Sequence, residues 1–359
     1  MGSNELLSAR LRRLLPGFSK RFQLVVALLT SLLAGSCTGR DPALDDEGEA
    51  QALETSTESA GYLVLGGQHV PVSVPVVHWF DPGGYSAYGT APGTGTNPPA
   101  GLRYRPGRDV PEGLFAPDVT ERLRLGRASA AELSAFVDQF VIHYDVCGTS
   151  EVCFRVLQKV RGLSVHFLCD LDGTLYQTLD LVDQAWHAAQ ANPRSIGVEV
   201  AQIGAYAPGD EAGAAHFAEW YQEDASGDGS TAITLPARFG DGGLRSPVRA
   251  RTTATPGKTR GRLHGSELEQ YDFTAAQYES LAALAAGLAT ALPGIQLDAP
   301  REPDGAILTR ALDDEELAAW SGLLGHAHIT AYKIDPGPAF RWEALLAAAR
   351  AQLSHDPTR

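Results

Sequence analysis

The chain has 359 residues, of which 44% are hydrophobic and 20% charged. At about 150 residues per domain this length allows one large domain or two modest ones, and the apolar share excludes global disorder. Lys and Arg number 29 against 43 Asp and Glu, a net charge of -14. That balance excludes nucleic acid as a partner, because binding it depends on neutralising phosphates with cations. Four cysteines are too few for a disulfide-built scaffold.

Residues 1–21 carry Arg10, Arg12, Arg13, Lys20 and Arg21 against one acid, Glu5. The apolar run Phe22–Gly35 that follows is shorter than the ~20 residues a membrane span needs. A basic start, a short apolar stretch and small residues at its end describe a secretory signal. The end, Leu33-Ala34-Gly35-Ser36-Cys37, resembles a bacterial lipobox. The resemblance implies cleavage before Cys37 and its lipidation, with Thr38 rather than Asp favouring the outer membrane. The alternative is an ordinary signal peptide with a chance cysteine. Residues 38–60 are acidic and lack aromatics, so they bury too little to offset their ordering entropy. They read as a disordered linker, and 61–130 as an N-terminal extension of a domain spanning 131–350.

YLVLGG and HVPVSVPVVHWF, from Tyr62 to Phe80, are Val-rich and predict strands. Residues 81–113 are rich in Gly and Pro and read as a long covering loop. Residues 129–138 suggest a short helix or turn. Phe140–Tyr144 is a buried-strand run, and Ser150–Gly162 has helical spacing. Residues 163–180 alternate around Asp172-Gly173 and predict a hairpin. Ser195–Gly204 predicts another strand. Residues 205–265 read as a loop-rich insertion with one short helix, Ala212–Tyr221. Thr274 caps the clearest helix, which Pro293 closes, and 340–353 predicts a last one. Strands interleaved with helices indicate an α/β fold.

Asp170-Leu171-Asp172-Gly173-Thr174 matches the phosphatase motif of the haloacid-dehalogenase-like family. Two carboxylates two apart at a strand end suit phosphoryl chemistry. No later acidic metal pair accompanies them, and Asp-Gly is also what a hairpin turn requires. The turn is the expectation and the phosphatase a remote alternative.

Four stretches remain, in order: FVIHYD around His143, SVHFLCDLDGTLYQTL, AWHAAQANPRSIGVEV, and GHAHITAYKIDPGPAFRW from Gly325. Together they resemble the zinc-dependent N-acetylmuramoyl-L-alanine amidases of the type-2 family, relatives of T7 lysozyme and the peptidoglycan-recognition proteins. The resemblance runs from about Phe140 to Trp342. It implies a single domain with a central mixed β-sheet flanked by helices. A catalytic zinc wants three protein ligands and an open position. The resemblance implies His143, His326 and Asp335 as those ligands, with His328 the rival to His326. The segment from His326 to the Lys-x-Asp pair is one residue shorter than in better-known members, which bears on Asp335. Glu199 is implied as the base and Lys333 as the group that stabilises the tetrahedral intermediate. His187, Trp186, Asn192 and Arg194 are expected along the substrate groove. His166 reads as structural.

Cys147 and Cys153 are six apart, and an oxidising periplasm allows a disulfide between them. The implied partners are peptidoglycan or muropeptide fragments, and a membrane through the lipid anchor. The expected state is a periplasmic monomer. The rival from a different class is a non-catalytic peptidoglycan-binding protein.

Overall fold

The computed structural model describes residues 61–89, 104–223 and 229–354. The signal segment, Cys37 and the acidic linker lie outside the described residues. Among those described, no helix is long and apolar enough to cross a membrane.

In chain order the strands are β1 (Gly61–Leu65), β2 (Gln68–Val72), β3 (Val76–His78), β4 (Tyr104–Arg105), β5 (Gln139–Tyr144), β6 (Phe167–Cys169) and β7 (Leu175–Gln177). They continue as β8 (Gln184–Ala185), β9 (Ser195–Val200), β10 (Tyr221–Glu223), β11 (Thr231–Ile233), β12 (Lys258–Leu263), β13 (Ser266–Tyr271) and β14 (Gly322–Gly325). Six of them form the central sheet in the order β14-β5-β9-β6-β7-β3. Only the β6–β7 pair within it is antiparallel.

Parallel strands need both faces covered, which explains their unbroken apolar runs. On β5, Phe140 and Ile142 join Val198 of β9 and Phe167 of β6 in the main core. Leu281, Leu284 and Leu288 of the helix Ala275–Ala291 pack into that core, alongside Leu345 and Leu346 of the helix Trp342–Ser354. Val141 and Leu324 point the other way and pack with Ala188, Leu317 and Ile329. Each such side chain stabilises by about 1.5–3 kcal/mol when fully buried. The helix Ala275–Ala291 starts at Thr274, whose hydroxyl accepts from the Gln277 amide while the Gln277 side chain accepts from the Thr274 amide. That reciprocal cap satisfies two N–H groups the helix itself cannot.

Residues after Gly61 are woven into the same body. Leu63, Leu65 and Val72 belong to the main core, and β3 lies parallel to β7 as an edge strand. Arg108 is buried and donates to the carbonyls of Leu181, Asn192, Pro193 and Ser195.

The hairpin expected around Asp172-Gly173 forms, as β6 and β7. Gly173 has φ of +81°, and a Cβ there would lie 2.5 Å from the Ala276 carbonyl oxygen, so only glycine fits. Both carboxylates of the phosphatase-like motif serve this turn. Asp170 accepts from the amides of Ser150 and Leu171, and Asp172 from those of Thr174, Arg245 and Ser246.

The insertion 205–265 is more ordered than its composition suggests. It carries the helix Glu211–Trp220, the small hairpin β10–β11 and most of the hairpin β12–β13. Burial in β12 runs exposed–intermediate in alternation, because Lys258, Arg260 and Arg262 occupy its outer face. The helix expected from Ser150 to Gly162 is α-helical to Val156 and continues as a π-helix over Leu157–Arg161.

Candidate metal centre

His143 lies near the C-terminal end of β5, and the register sets it directly beside Glu199 on β9. Neighbours in register on parallel strands face the same side, here the side away from the two long helices. His326 follows β14 immediately, and β14 is the other neighbour of β5. Asp335 returns on the next loop, where its carbonyl accepts from the Ala327 amide.

Three donor atoms converge there. His143 Nδ1 is 2.9 Å from His326 Nδ1 and 2.9 Å from an Asp335 carboxylate oxygen, which is 3.1 Å from His326 Nδ1. All three residues are buried. Tetrahedral ligands at 2.0–2.1 Å from zinc are roughly 3.3 Å apart, so this triangle is close to half-assembled coordination geometry. Two imidazole nitrogens and a carboxylate oxygen are also the donor set zinc prefers.

The electrostatics favour the ligating forms. Burial, reinforced by the charge of His326, lowers His143 to about 4, so it is neutral near pH 7. Burial alone would raise Asp335, but the charge of His326 and hydrogen bonds from both histidines outweigh it. Its carboxyl is held well below the usual carboxylate range. Burial pushes Glu199 well above its ordinary value, with the charges of Asp335 and Asp145 adding to it and Lys333 opposing. Glu199 Oε2 is shielded from water and has no hydrogen-bond partner among the described residues. A buried carboxylate oxygen left unpaired costs about 1–3 kcal/mol or more, the kind of cost tolerated at a functional position.

His187 stands behind the ligands. Its Nδ1 is 3.0 Å from His143 Nε2, and its Nε2 is 3.2 Å from the Ser195 hydroxyl. With the proton of this contact on His143 Nε2, Nδ1 is left free to ligate, so His187 serves as an outer support that orients the His143 ring. His187 was expected along a groove, and this supporting position was not read from the sequence. Asn192 and Arg194 are committed to the scaffold. The Asn192 side chain accepts from the amides of His187 and Ala188. Arg194 pairs with Asp138 and donates to the Ala318 and Trp320 carbonyls. Trp186 is half-buried, and its amide donates to the Ser164 hydroxyl.

His328 does not join the cluster. Its Nδ1 accepts from the Gly325 amide and its Nε2 donates to the Leu308 carbonyl. His166 is likewise tied down, Nδ1 accepting from Gly197 and Nε2 donating to the Asp183 carbonyl. The shorter segment before Lys333 still delivers Asp335 to both histidines. Lys333 is half-buried, and its charge acts on both His143 and Glu199.

The disulfide expected between Cys147 and Cys153 is not formed. Both are free, buried thiols in hydrogen-bonding contact. Cys147 sits in a turn that Asp145 ties by accepting from the amides of Cys147, Gly148 and Gln202.

The family model described as N-acetylmuramoyl-L-alanine amidase matches residues 133–338. No curated protein matches the sequence. Several solved structures are similar, among them the following three. AmiD from E. coli, in complex with the substrate anhydro-N-acetylmuramic acid-L-Ala-D-gamma-Glu-L-Lys, is 18% identical with a TM-score of 0.31, over 59% of this chain and 57% of its own. A Se-Met derivative of AmpD is 18% identical with a TM-score of 0.30, over 60% of this chain and 86% of its own. AmpDH3 from Pseudomonas aeruginosa is 16% identical with a TM-score of 0.30, over 59% of this chain and 59% of its own. The chain thus spans a little over half the length of AmiD and of AmpDH3. The family match covers more than half of this chain, opening just before β5 and closing just after Asp335, and by it the chain belongs to the type-2 N-acetylmuramoyl-L-alanine amidase family.

Proposed function

We propose that this protein hydrolyses the amide between the lactyl group of N-acetylmuramic acid and L-alanine in peptidoglycan or its fragments, with zinc as cofactor. The observation that carries the reading is the convergence of His143, His326 and Asp335 beside the unpartnered Glu199 carboxylate. His143 and His326 through Nδ1, and Asp335 through one oxygen, would hold the metal. Zinc, when bound, supplies Lewis acidity toward the amide carbonyl.

The protein's own residues account for the proton. Glu199 takes a proton from the attacking water as its oxygen bonds to the amide carbon. It returns that proton to the alanine nitrogen as the C–N bond breaks, leaving a lactyl carboxylic acid and a free amine. A group that takes and returns a proton works best with a pKa near the operating pH, and burial moves Glu199 in that direction. Lys333 offers its ammonium to the developing oxyanion, the role usually worth most in acyl transfer. His187 holds His143 in orientation.

The signal segment and Cys37 support the further reading that the enzyme is a lipoprotein of the outer membrane facing the periplasm. The decisive experiment incubates the purified protein with muropeptides, with and without chelator, and identifies products by mass spectrometry. Free stem peptide beginning at L-alanine, lost with chelator and restored by zinc, is the expected result. Intact muropeptide from folded, zinc-loaded protein overturns the reading in favour of a binding protein.

A further inference from the structure

The hairpin β12–β13 stands outside the central sheet, yet it grips the loop that carries Lys333 and Asp335. Its two-residue turn is His264-Gly265, both at positive φ, +52° and +77°. Such a turn favours Asn, Asp or Gly at its first position. Here it holds a histidine whose Nε2 donates to the Lys333 carbonyl at 2.8 Å, while its amide donates to Thr309 O at 2.8 Å. The other strand grips the later part of the same loop. Gln270 donates to the Pro336 carbonyl at 2.9 Å and accepts from the Ala339 amide at 3.0 Å. Gly261 approaches so closely that a Cβ there would lie 2.7 Å from Pro338 Cβ. The Lys333–Ala339 segment is therefore held at Lys333, Pro336, Pro338 and Ala339 by one hairpin.

We infer that this hairpin is the positioning device for Lys333, and that His264 is its positioning residue. The inference rests on the amidase reading. Among the described residues the Lys333 amide is tied only locally, to the Thr330 carbonyl. The bond from His264 is what ties the backbone of Lys333 to a separate element. On one side of Lys333 stands Tyr332, 88% accessible, and on the other Ile334 packs against the main core, so the exposed side of the loop at Lys333 is steadied by the His264 bond. Removing the bond leaves Asp335 anchored by Ala327 and Pro336 anchored by Gln270, but lets the Lys333 ammonium wander. Misplacement of a group by about 1 Å costs up to about a hundredfold in rate.

The test uses the full chain loaded with zinc and two variants. His264→Gly suits the positive φ, so it removes the donor without straining the turn. His264→Gln restores a side-chain N–H of similar reach. H264G is expected to keep its zinc content and melting temperature, to lose roughly ten- to a hundredfold in kcat, and to keep KM within about twofold. H264Q is expected to recover most of the lost kcat. The chain has four lysines, Lys20, Lys159, Lys258 and Lys333. In 15N-lysine spectra the Lys333 amide alone is expected to shift or broaden in H264G, a readout independent of turnover. Wild-type kcat in H264G, a loss confined to KM, an unchanged Lys333 resonance, failure of H264Q to recover activity, or unfolding of H264G each refutes the positioning role. A wild-type protein that leaves the amide intact removes the amidase reading and this inference together. A wild-type protein that cleaves it, with an unaffected H264G, removes only the hairpin's role.

Discussion

Replacing Arg108 by Met removes a buried cation while roughly keeping its volume. The guanidinium serves four backbone carbonyls, of Leu181, Asn192, Pro193 and Ser195. Burial lowers its pKa to about 9, partly offset by Asp183 and Asp180, so it is charged at pH 7. Methionine leaves those carbonyls without their donor. At about 1 kcal/mol for each orphaned acceptor, the loss is about 4 kcal/mol, with the cost of the cation's own burial recovered in part. A net loss of about 2–4 kcal/mol is expected from urea unfolding, read as a lower midpoint at unchanged slope. Because Asn192, Pro193 and Ser195 lead into β9, turnover is expected to fall as well, through Glu199. A loss below about 1 kcal/mol would show that water or neighbouring amides replace the guanidinium, and would refute the account of it as a staple.

Glu199→Gln is expected to retain zinc, measured by metal analysis, while turnover falls at least about a hundredfold; a mild loss would move the base elsewhere. Asp170 is raised to about 8, chiefly by burial, and one of its oxygens has no partner. Its folded pKa exceeds the unfolded value, so the native state keeps a proton that the unfolded chain releases as pH rises from about 4 to about 8. Wild-type stability should fall across that window and level off above it. Asp170→Asn should be more stable than wild type by an amount that grows through the same window, on the order of a few kcal/mol, read by melting temperature against pH. Gly148→Ala places a Cβ 2.4 Å from the Trp220 ring at a φ of +80°, so a loss of about 2 kcal/mol or more in thermal unfolding is expected.

The readable parts of the sequence were those governed by local rules. FVIHY and SIGVEV announce strands because a parallel strand buried on both faces must be apolar throughout, which leaves His143 and Glu199 conspicuous as polar exceptions. Thr274 and Gln277 announce a helix start by a reciprocal cap. The β12–β13 hairpin was missed because KTRGRL carries three cations and its register comes from a His-Gly turn, an uncommon pair. Arg108 looked like a loop arginine because its partners lie more than 70 residues away. His187 was noticed, but its service to His143 depends on the distance between two elements, which no spacing within one segment records. The thiols of Cys147 and Cys153 are neighbours, as their spacing implies, without being joined.

The central sheet has its last-made strand beside its first ligand. His143 and Asp335 are separated by 192 residues, and among the described residues β14, which delivers His326, pairs only with β5. A chain shortened to end before Gly322 therefore has Glu199, His143 and its support His187, but lacks His326, Lys333 and Asp335. Such a fragment keeps one of the three candidate ligands. Two of the three candidate ligands and the lysine beside them thus come from one short stretch, His326 to Asp335, that becomes useful only once β14 has docked on β5.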